Sequence, residues 1–348
     1  MRTSPVSVAE LRALRLAAVG NPEDASAQAA SALGAAQSSG DALCAAWARV
    51  VLGQAAVVRS RAGGALVILS QAASAFHTLG DEEGMLAAFT LLVNAWIMAG
   101  DLPSGRLTAG RALRLARRTG DRATEAKVLL NLAYAHGTEG DAVAYEMLTE
   151  QALVTFQGMN DERAVAHCLV NLADARMRTG QHSLARQCHE RASRLCRAND
   201  WPYIEALLWC GRSALALALG DDDAARALHV EGIRRLEDVG KPYQRIGQNV
   251  QLYSTLAKRH PDDATRDALE DAASEADLQG YNGLAAQARS ALAELFDVRG
   301  EVEAAQQART RAELSRLAAK RKVDARRADE AWAMARASDL LSNVPTVT

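Results

Sequence analysis

The chain repeats itself every forty residues, and few folds tolerate that. Residues 121–160 read DRATEAKVLLNLAYAHGTEGDAVAYEMLTEQALVTFQGMN, and residues 161–200 read DERAVAHCLVNLADARMRTGQHSLARQCHERASRLCRAND. VLLNLAYAHGTEGD answers to CLVNLADARMRTGQ, and EQALVTFQGMND to ERASRLCRANDW. A fixed period of this length marks stacked supersecondary units, none of which can bury its apolar face alone.

Turn signals recur at half the period: Gly20, Gly40, Gly63-Gly64, Gly80, Gly100, Gly120, Gly140, Asn160, Gly180, Asn199, Gly220, Gly240, Pro261, Gly280 and Gly300. Six of the glycines (40, 80, 100, 120, 140 and 220) are followed at once by Asp. Gly accepts the left-handed conformation that ends one helix, and Asp caps the free amides that begin the next. Between these marks the sequence is rich in Ala and Leu, the best helix formers, with a 3.6-residue apolar period. Aromatics are only 4% of the chain, and no stretch alternates β-branched and polar residues, so no sheet is expected. The expectation is an all-α chain of antiparallel helical hairpins. Repeats fall at about 1–40, 41–80, 81–120, 121–160, 161–200, 201–240, 241–280 and 281–318, with a helical extension and short disordered tail over 319–348.

One column of the repeat decides how the hairpins close. Every fortieth residue from Ala32 gives Ala32, Ala72, Ala112, Ala152, Ala192, Gly232, Ala272 and Ala312, all small. Another gives Arg12, Leu52, Leu92, Leu132, Leu172, Arg212, Leu252 and Leu292. Small residues at fixed points let two helices approach, and the leucines fill the space beside them. Tyr253 and Thr265 break the columns of the repeat at 241–280, and His260-Pro261 replaces Gly-Asp there, so a local bend is expected.

The order Leu132-Ala133, Gly140-Asp141, Ala152-Leu153, repeated as Leu172-Ala173, Gly180, Ala185 and Ala192, resembles the tetratricopeptide repeat family. The likeness runs over residues 1–318. The unit is forty residues rather than the usual 34 or so, similar to the long-repeat variety of bacterial signalling proteins and kinesin light chains. The resemblance implies a right-handed α-solenoid of about eight repeats whose first helices line a concave groove. It places Gln54, Asn94, Asn131, Tyr134, Asn171, Asp174, Arg178 and Gln251 in that groove. An amide both donates and accepts, so a row of them suits the backbone of an extended peptide. The implied function is a non-enzymatic scaffold that binds a peptide or protein segment, in bacterial signalling or regulation. An alternative is a sensor that binds a small ligand or signalling peptide and passes the change to an output partner through the C-terminal helix.

Other chemistries find little support. Cys168, Cys188, Cys196 and Cys210 lie near His167, His182 and His189, but Cys188 and Cys196 are two helical turns apart, too far to share a metal without a third helix. Five cysteines is an odd number, and buried thiols in helix packing are the expectation. No H-E-x-x-H, G-x-S-x-G or phosphate-cradling glycine loop occurs, so neither cofactor, metal nor catalysis is expected. Gly63-Gly64 reads as a turn, and Asp221-Asp222-Asp223 as a helix N-terminus. A net charge of −2 with interspersed signs implies no general affinity for nucleic acid. Arginines interrupt the only apolar stretch of the N-terminus, no segment approaches the ~18 apolar residues of a membrane span, and a cytoplasmic protein is expected. The last helix should run from near Val302 to about Leu341. It carries nine bases against four acids between Gln306 and Arg336, and Leu314, Leu317, Ala328, Trp332, Ala335 and Leu341 form a stripe through which a homodimer could assemble.

Overall fold

The computed structural model describes the backbone of residues 6–341 and the side chains of residues 6–321. The described residues form sixteen helices and no strand. In order they are α1 (Val8–Ala17), α2 (Pro22–Ser39), α3 (Ala42–Val58), α4 (Ala62–Leu79), α5 (Glu82–Ala99), α6 (Leu102–Thr119), α7 (Arg122–Thr138), α8 (Ala142–Gly158), α9 (Glu162–Arg178), α10 (His182–Ala198), α11 (Pro202–Ala218), α12 (Asp222–Asp238), α13 (Pro242–Arg259), α14 (Asp263–Leu278), α15 (Asn282–Arg299) and α16 (Val302–Leu341). Each forty-residue repeat holds one odd-numbered and one even-numbered helix. The described side chains group into two compact units divided within α7, the first reaching Asn131 and the second spanning Leu132–Arg321.

The turn chemistry works as the Gly-Asp pairs imply. Gly40, Gly80, Gly100, Gly120, Gly140 and Gly220 all have positive φ, between 70° and 89°. The Asp after each accepts a hydrogen bond from the amide three residues on, as Asp41 does from Cys44 (2.9 Å), Asp121 from Thr124 (2.9 Å) and Asp221 from Ala224 (3.0 Å). Two turn expectations need correcting. Gly63 and Gly64 lie inside the first turn of α4, and the reversal is made by Ser60 at φ 56°, with the Arg61 amide donating to the Ala56 carbonyl. Strict spacing outweighed residue type: a left-handed residue was needed at position 60, and buried Ser60 supplies it at some steric cost. Asn199 is extended rather than left-handed (φ −142°), so α10 and α11 are joined by a more open crossing.

Burial confirms the small column. Ala32, Ala72, Ala112, Ala152, Ala192, Ala272 and Ala312 are all buried, as is Gly232. A Cβ on Gly232 would stand 3.0 Å from the Cys210 backbone nitrogen, so that hairpin closes on its partner's main chain. The leucines of the neighbouring column are buried at Leu92, Leu172, Leu252 and Leu292. Where arginine replaces leucine, an indole faces its guanidinium: that of Arg12 lies 4.8 Å over Trp47 and that of Arg212 5.9 Å over Trp209.

In the repeat at 241–280 the connection His260–Asp262 delays α14, which has 16 residues, and Arg299 pairs with Asp263 at 2.9 Å beside it. A further correction concerns α4. Its 18 residues carry no Asp, Glu, Lys or Arg and are long and apolar enough to cross a membrane by composition. Leu66, Leu69 and Phe76 are nevertheless fully buried on its packed side, because both α3 and α5 lie against it. In α16 the packed side is Ala305, Ala308, Ala312 and Ser315, whereas Leu314 and Leu317 are exposed. The side chains of the rest of the expected dimer stripe (Ala328, Trp332, Ala335, Leu341), and all of the tail beyond it, lie outside the described ones.

Within each unit, odd-numbered helices touch the next odd-numbered helix, as in α1–α3, α3–α5, α9–α11 and α13–α15, while among the described residues of α2 to α14 no even-numbered pair does so comparably. The odd helices are therefore the closer-spaced, inner layer of each stack. One cap also ties two repeats: Asp81 accepts from the Gly84 amide (3.0 Å) and from Trp47 Nε1 (3.1 Å). Asp81→Ala removes the cap and orphans a buried indole N–H, and is expected to cost about 2 kcal/mol in urea unfolding. Asp41→Ala, a cap alone, should cost about 1 kcal/mol.

Candidate functional site

The inner layer of each unit carries polar groups that the fold leaves uncommitted. Gln54 on α3, Asn94 on α5 and Asn131 on α7 are half-buried in the first unit, and none of their amide groups hydrogen-bonds to a described residue. In the second unit the same holds for half-buried Asn171 on α9 and exposed Gln251 on α13. The other sequence-derived candidates divide. Tyr134 is 41% exposed and its hydroxyl also lacks a partner among the described residues. Asp174 and Arg178 are committed to the fold. Arg178 Nε donates to Asp174 at 3.1 Å, and its Nη1 donates to the Gly137 carbonyl at 2.9 Å, tying α9 to α7. The Arg178 guanidinium also lies 5.9 Å over the ring of buried Tyr145.

In the first unit the inner layer is bridged. Arg12 passes over Trp47 to pair with Glu83 at 2.8 Å, joining α1 to α5 across α3. In the second unit it is aromatic. Tyr203 on α11 meets His167 of α9 edge-on at 6.2 Å, Lys241 Nζ lies 5.5 Å over the Tyr203 ring, and Tyr243 on α13 meets Tyr281 edge-on at 5.2 Å. Tyr134 belongs to the repeat two before Tyr203 and three before Tyr243.

Burial pushes the phenols of Tyr134, Tyr203 and Tyr243 up, so all three stay protonated donors. Burial, with Arg163 nearby, holds His167 at about 4, so it is neutral at physiological pH. Tyr203, Tyr243, His167 and Lys241 were not singled out from the sequence as groove residues, because they occupy repeat positions that hold unrelated residues elsewhere.

The cysteines are not part of this site. All five are buried and free, and burial raises Cys168 and Cys210 to about 12, far from a reactive thiolate.

With the geometry in view, the class is a tetratricopeptide-type helical repeat array. No protein-family profile matches the chain, and no curated protein matches it in sequence. Among solved structures it is similar to the Rap conjugation gene regulator of the plasmid pLS20 in complex with the Phr* peptide, at 12% identity and TM-score 0.65, covering 82% of this chain and 77% of that one. It is also similar to a Rap protein complexed with competence and sporulation factor, at 11% identity and TM-score 0.63, covering 91% and 100% of the two chains. A third likeness is the apo form of the quorum sensor NprR from B. thuringiensis, at 11% identity and TM-score 0.51, covering 88% and 97%. At these identities the likeness concerns the fold.

Two histidines behind the inner layer set a pH dependence. His189 is 2% exposed, neither ring nitrogen has a partner, and a Cβ on the facing Gly211 would be 2.7 Å from its Nε2. Burial first, and Arg212 second, lower it to about 4. His229 is also lowered by burial, against a 2.8 Å contact between its Nε2 and Asn249 Oδ1. The unfolded chain, with histidines near 6.5, binds protons first as pH falls. Stability should therefore be full above pH 6.5 and decline as pH drops from 6.5 towards 4. The His189 contribution is up to about 3 kcal/mol, so in melting curves across that window His189→Leu should flatten the decline.

Proposed function

We propose that this chain is a non-enzymatic regulatory scaffold that holds an extended peptide along the inner layer of its second unit. The observation that carries the reading is the set of uncommitted donors and acceptors on that layer, Tyr134, Asn171, Tyr203 and Tyr243, beside the satisfied Asp174–Arg178 pair. Groups that the fold needed would be hydrogen-bonded internally, as buried polar groups nearly always are. Amides and phenols with free capacity along the inner layer suit a peptide backbone, which offers a donor and an acceptor at every residue.

The solved structures support this reading by what they hold. Of two arrays of the same fold, one is in complex with the Phr* peptide and the other is complexed with competence and sporulation factor. On this reading the chain belongs to peptide-responsive helical-repeat regulation, and the Gln251 amide extends the recognition surface of the second unit, while Gln54, Asn94 and Asn131 offer free amides on the inner layer of the first. The test is binding of short synthetic peptides by calorimetry to the parent chain and to Asn171→Ala. A selected peptide should bind the parent with a 1:1 midpoint, raise its melting temperature by mass action, and lose about tenfold in affinity to the variant. An Asn171→Ala variant that is folded and binds undiminished would remove Asn171 from the site.

A further inference from the structure

α8 and α10 are consecutive outer helices of the second unit, and both pack on α9. α8 exposes three large apolar side chains, Val143 (72%), Met147 (51%) and Val154 (68%). Spacings of four and seven residues keep them on one side of the helix, along about 16 Å of its length. Single exposed apolar groups are ordinary on a protein surface, whereas a run along one helix face marks a contact with something else.

α10 sets a row of charge beside that stripe. Arg186, Arg194 and Arg197 are exposed, and none has an ionic or hydrogen-bonding partner among the described residues. Arginines at the same repeat positions elsewhere are not left bare. Arg226 and Arg266 hold the position of Arg186, and they pair with Asp262 at 3.8 Å and Asp263 at 3.0 Å. Arg234 holds the position of Arg194 and is gripped by Glu231 at 2.8 Å and Asp238 at 2.7 Å. Between the stripe and the row, the polar groups are spent on the fold. Arg176 of α9 donates to Glu146 at 3.0 Å and Glu150 at 2.8 Å, Gln181 donates to Glu146 at 3.0 Å, and Arg191 meets the Gln157 amide. The acids of α8 that face the row are therefore engaged, and the three guanidinium groups stay open to an outside acid.

We propose that the outer face of α8 and α10 is a docking site for an acidic amphipathic helix of another protein. Its apolar side would lie on Val143, Met147 and Val154, and its acidic edge along Arg186, Arg194 and Arg197. An amphipathic helix offers an apolar stripe and a charged edge side by side, at the pitch of this surface. Charge complementarity selects an acidic edge. Glu190 interrupts the row between Arg186 and Arg194. A protein helix can set a base opposite that carboxylate, whereas an unbroken phosphate backbone is repelled there. The site lies on the layer opposite the inner one, so it stands apart from the peptide reading and gives a regulator a second surface for the protein it controls.

The test is selection on the immobilised full-length chain from a displayed library of helices about five turns long, with a fixed leucine stripe and Glu or Lys varied at both edges. Glu-edged helices should be enriched about tenfold over Lys-edged ones. A variant carrying Arg194→Glu and Arg197→Glu, both exposed positions, should reverse that preference. For the best helix, Val143→Ser with Val154→Ser should weaken binding about tenfold in fluorescence anisotropy. Melting curves that match the parent's establish that both variants fold. No enriched helix, or an acidic preference that survives the charge reversal, overturns the assignment. So does tighter, reversal-sensitive attachment to phosphatidylglycerol vesicles or to a DNA duplex, or self-association that the reversal abolishes, since each names a different occupant.

Discussion

The close approach of two helices at one small residue in every forty is the constraint on which the rest depends. At that column, from Ala32 to Ala312, the even helix of each hairpin comes near enough to its odd partner for leucines to interlock on either side. Larger residues there would wedge the pair apart, and the interlocking contacts around the wedge would be lost with it. Gly232 shows how tight the approach is, because even a methyl group would press on the Cys210 main chain. The stack then grows by repetition, each hairpin burying the face its neighbour exposes.

Because cohesion lies between the helices, the inner layer is free to differ from repeat to repeat. The first unit closes part of its inner layer with the Arg12–Glu83 pair over Trp47. The second lines its own with phenols and a neutral imidazole whose polar atoms are left open. Asp174 and Arg178 mark the border between the two roles. They have the chemistry of binding residues, but the Gly137 carbonyl claims the guanidinium and makes the pair a tie between α7 and α9.

The sequence disclosed what recurs and concealed what does not. The period, the Gly-Asp turns and the small column were legible because each is imposed by a local rule repeated many times. Gly63-Gly64 misled because residue type was allowed to outweigh spacing, whereas Ser60 kept the register. Uncharged α4 was overlooked because its small and polar residues dilute its apolar character. The amides at Asn131 and Asn171 were found through their repeat positions. Tyr203 and Tyr243 were missed, since Leu43, Glu83, Ala123, Arg163 and Gly283 hold the same position elsewhere.

The most direct measurement is urea unfolding of seven single variants, each placing leucine at one alanine of the column (Ala32, Ala72, Ala112, Ala152, Ala192, Ala272, Ala312). If the hairpins close on this column, every interior variant should lose about 1–3 kcal/mol, with the smallest loss at an end of the array. Leucines accepted without loss at most of these positions would contradict it, since the helices would then be held apart by something other than the size of that residue.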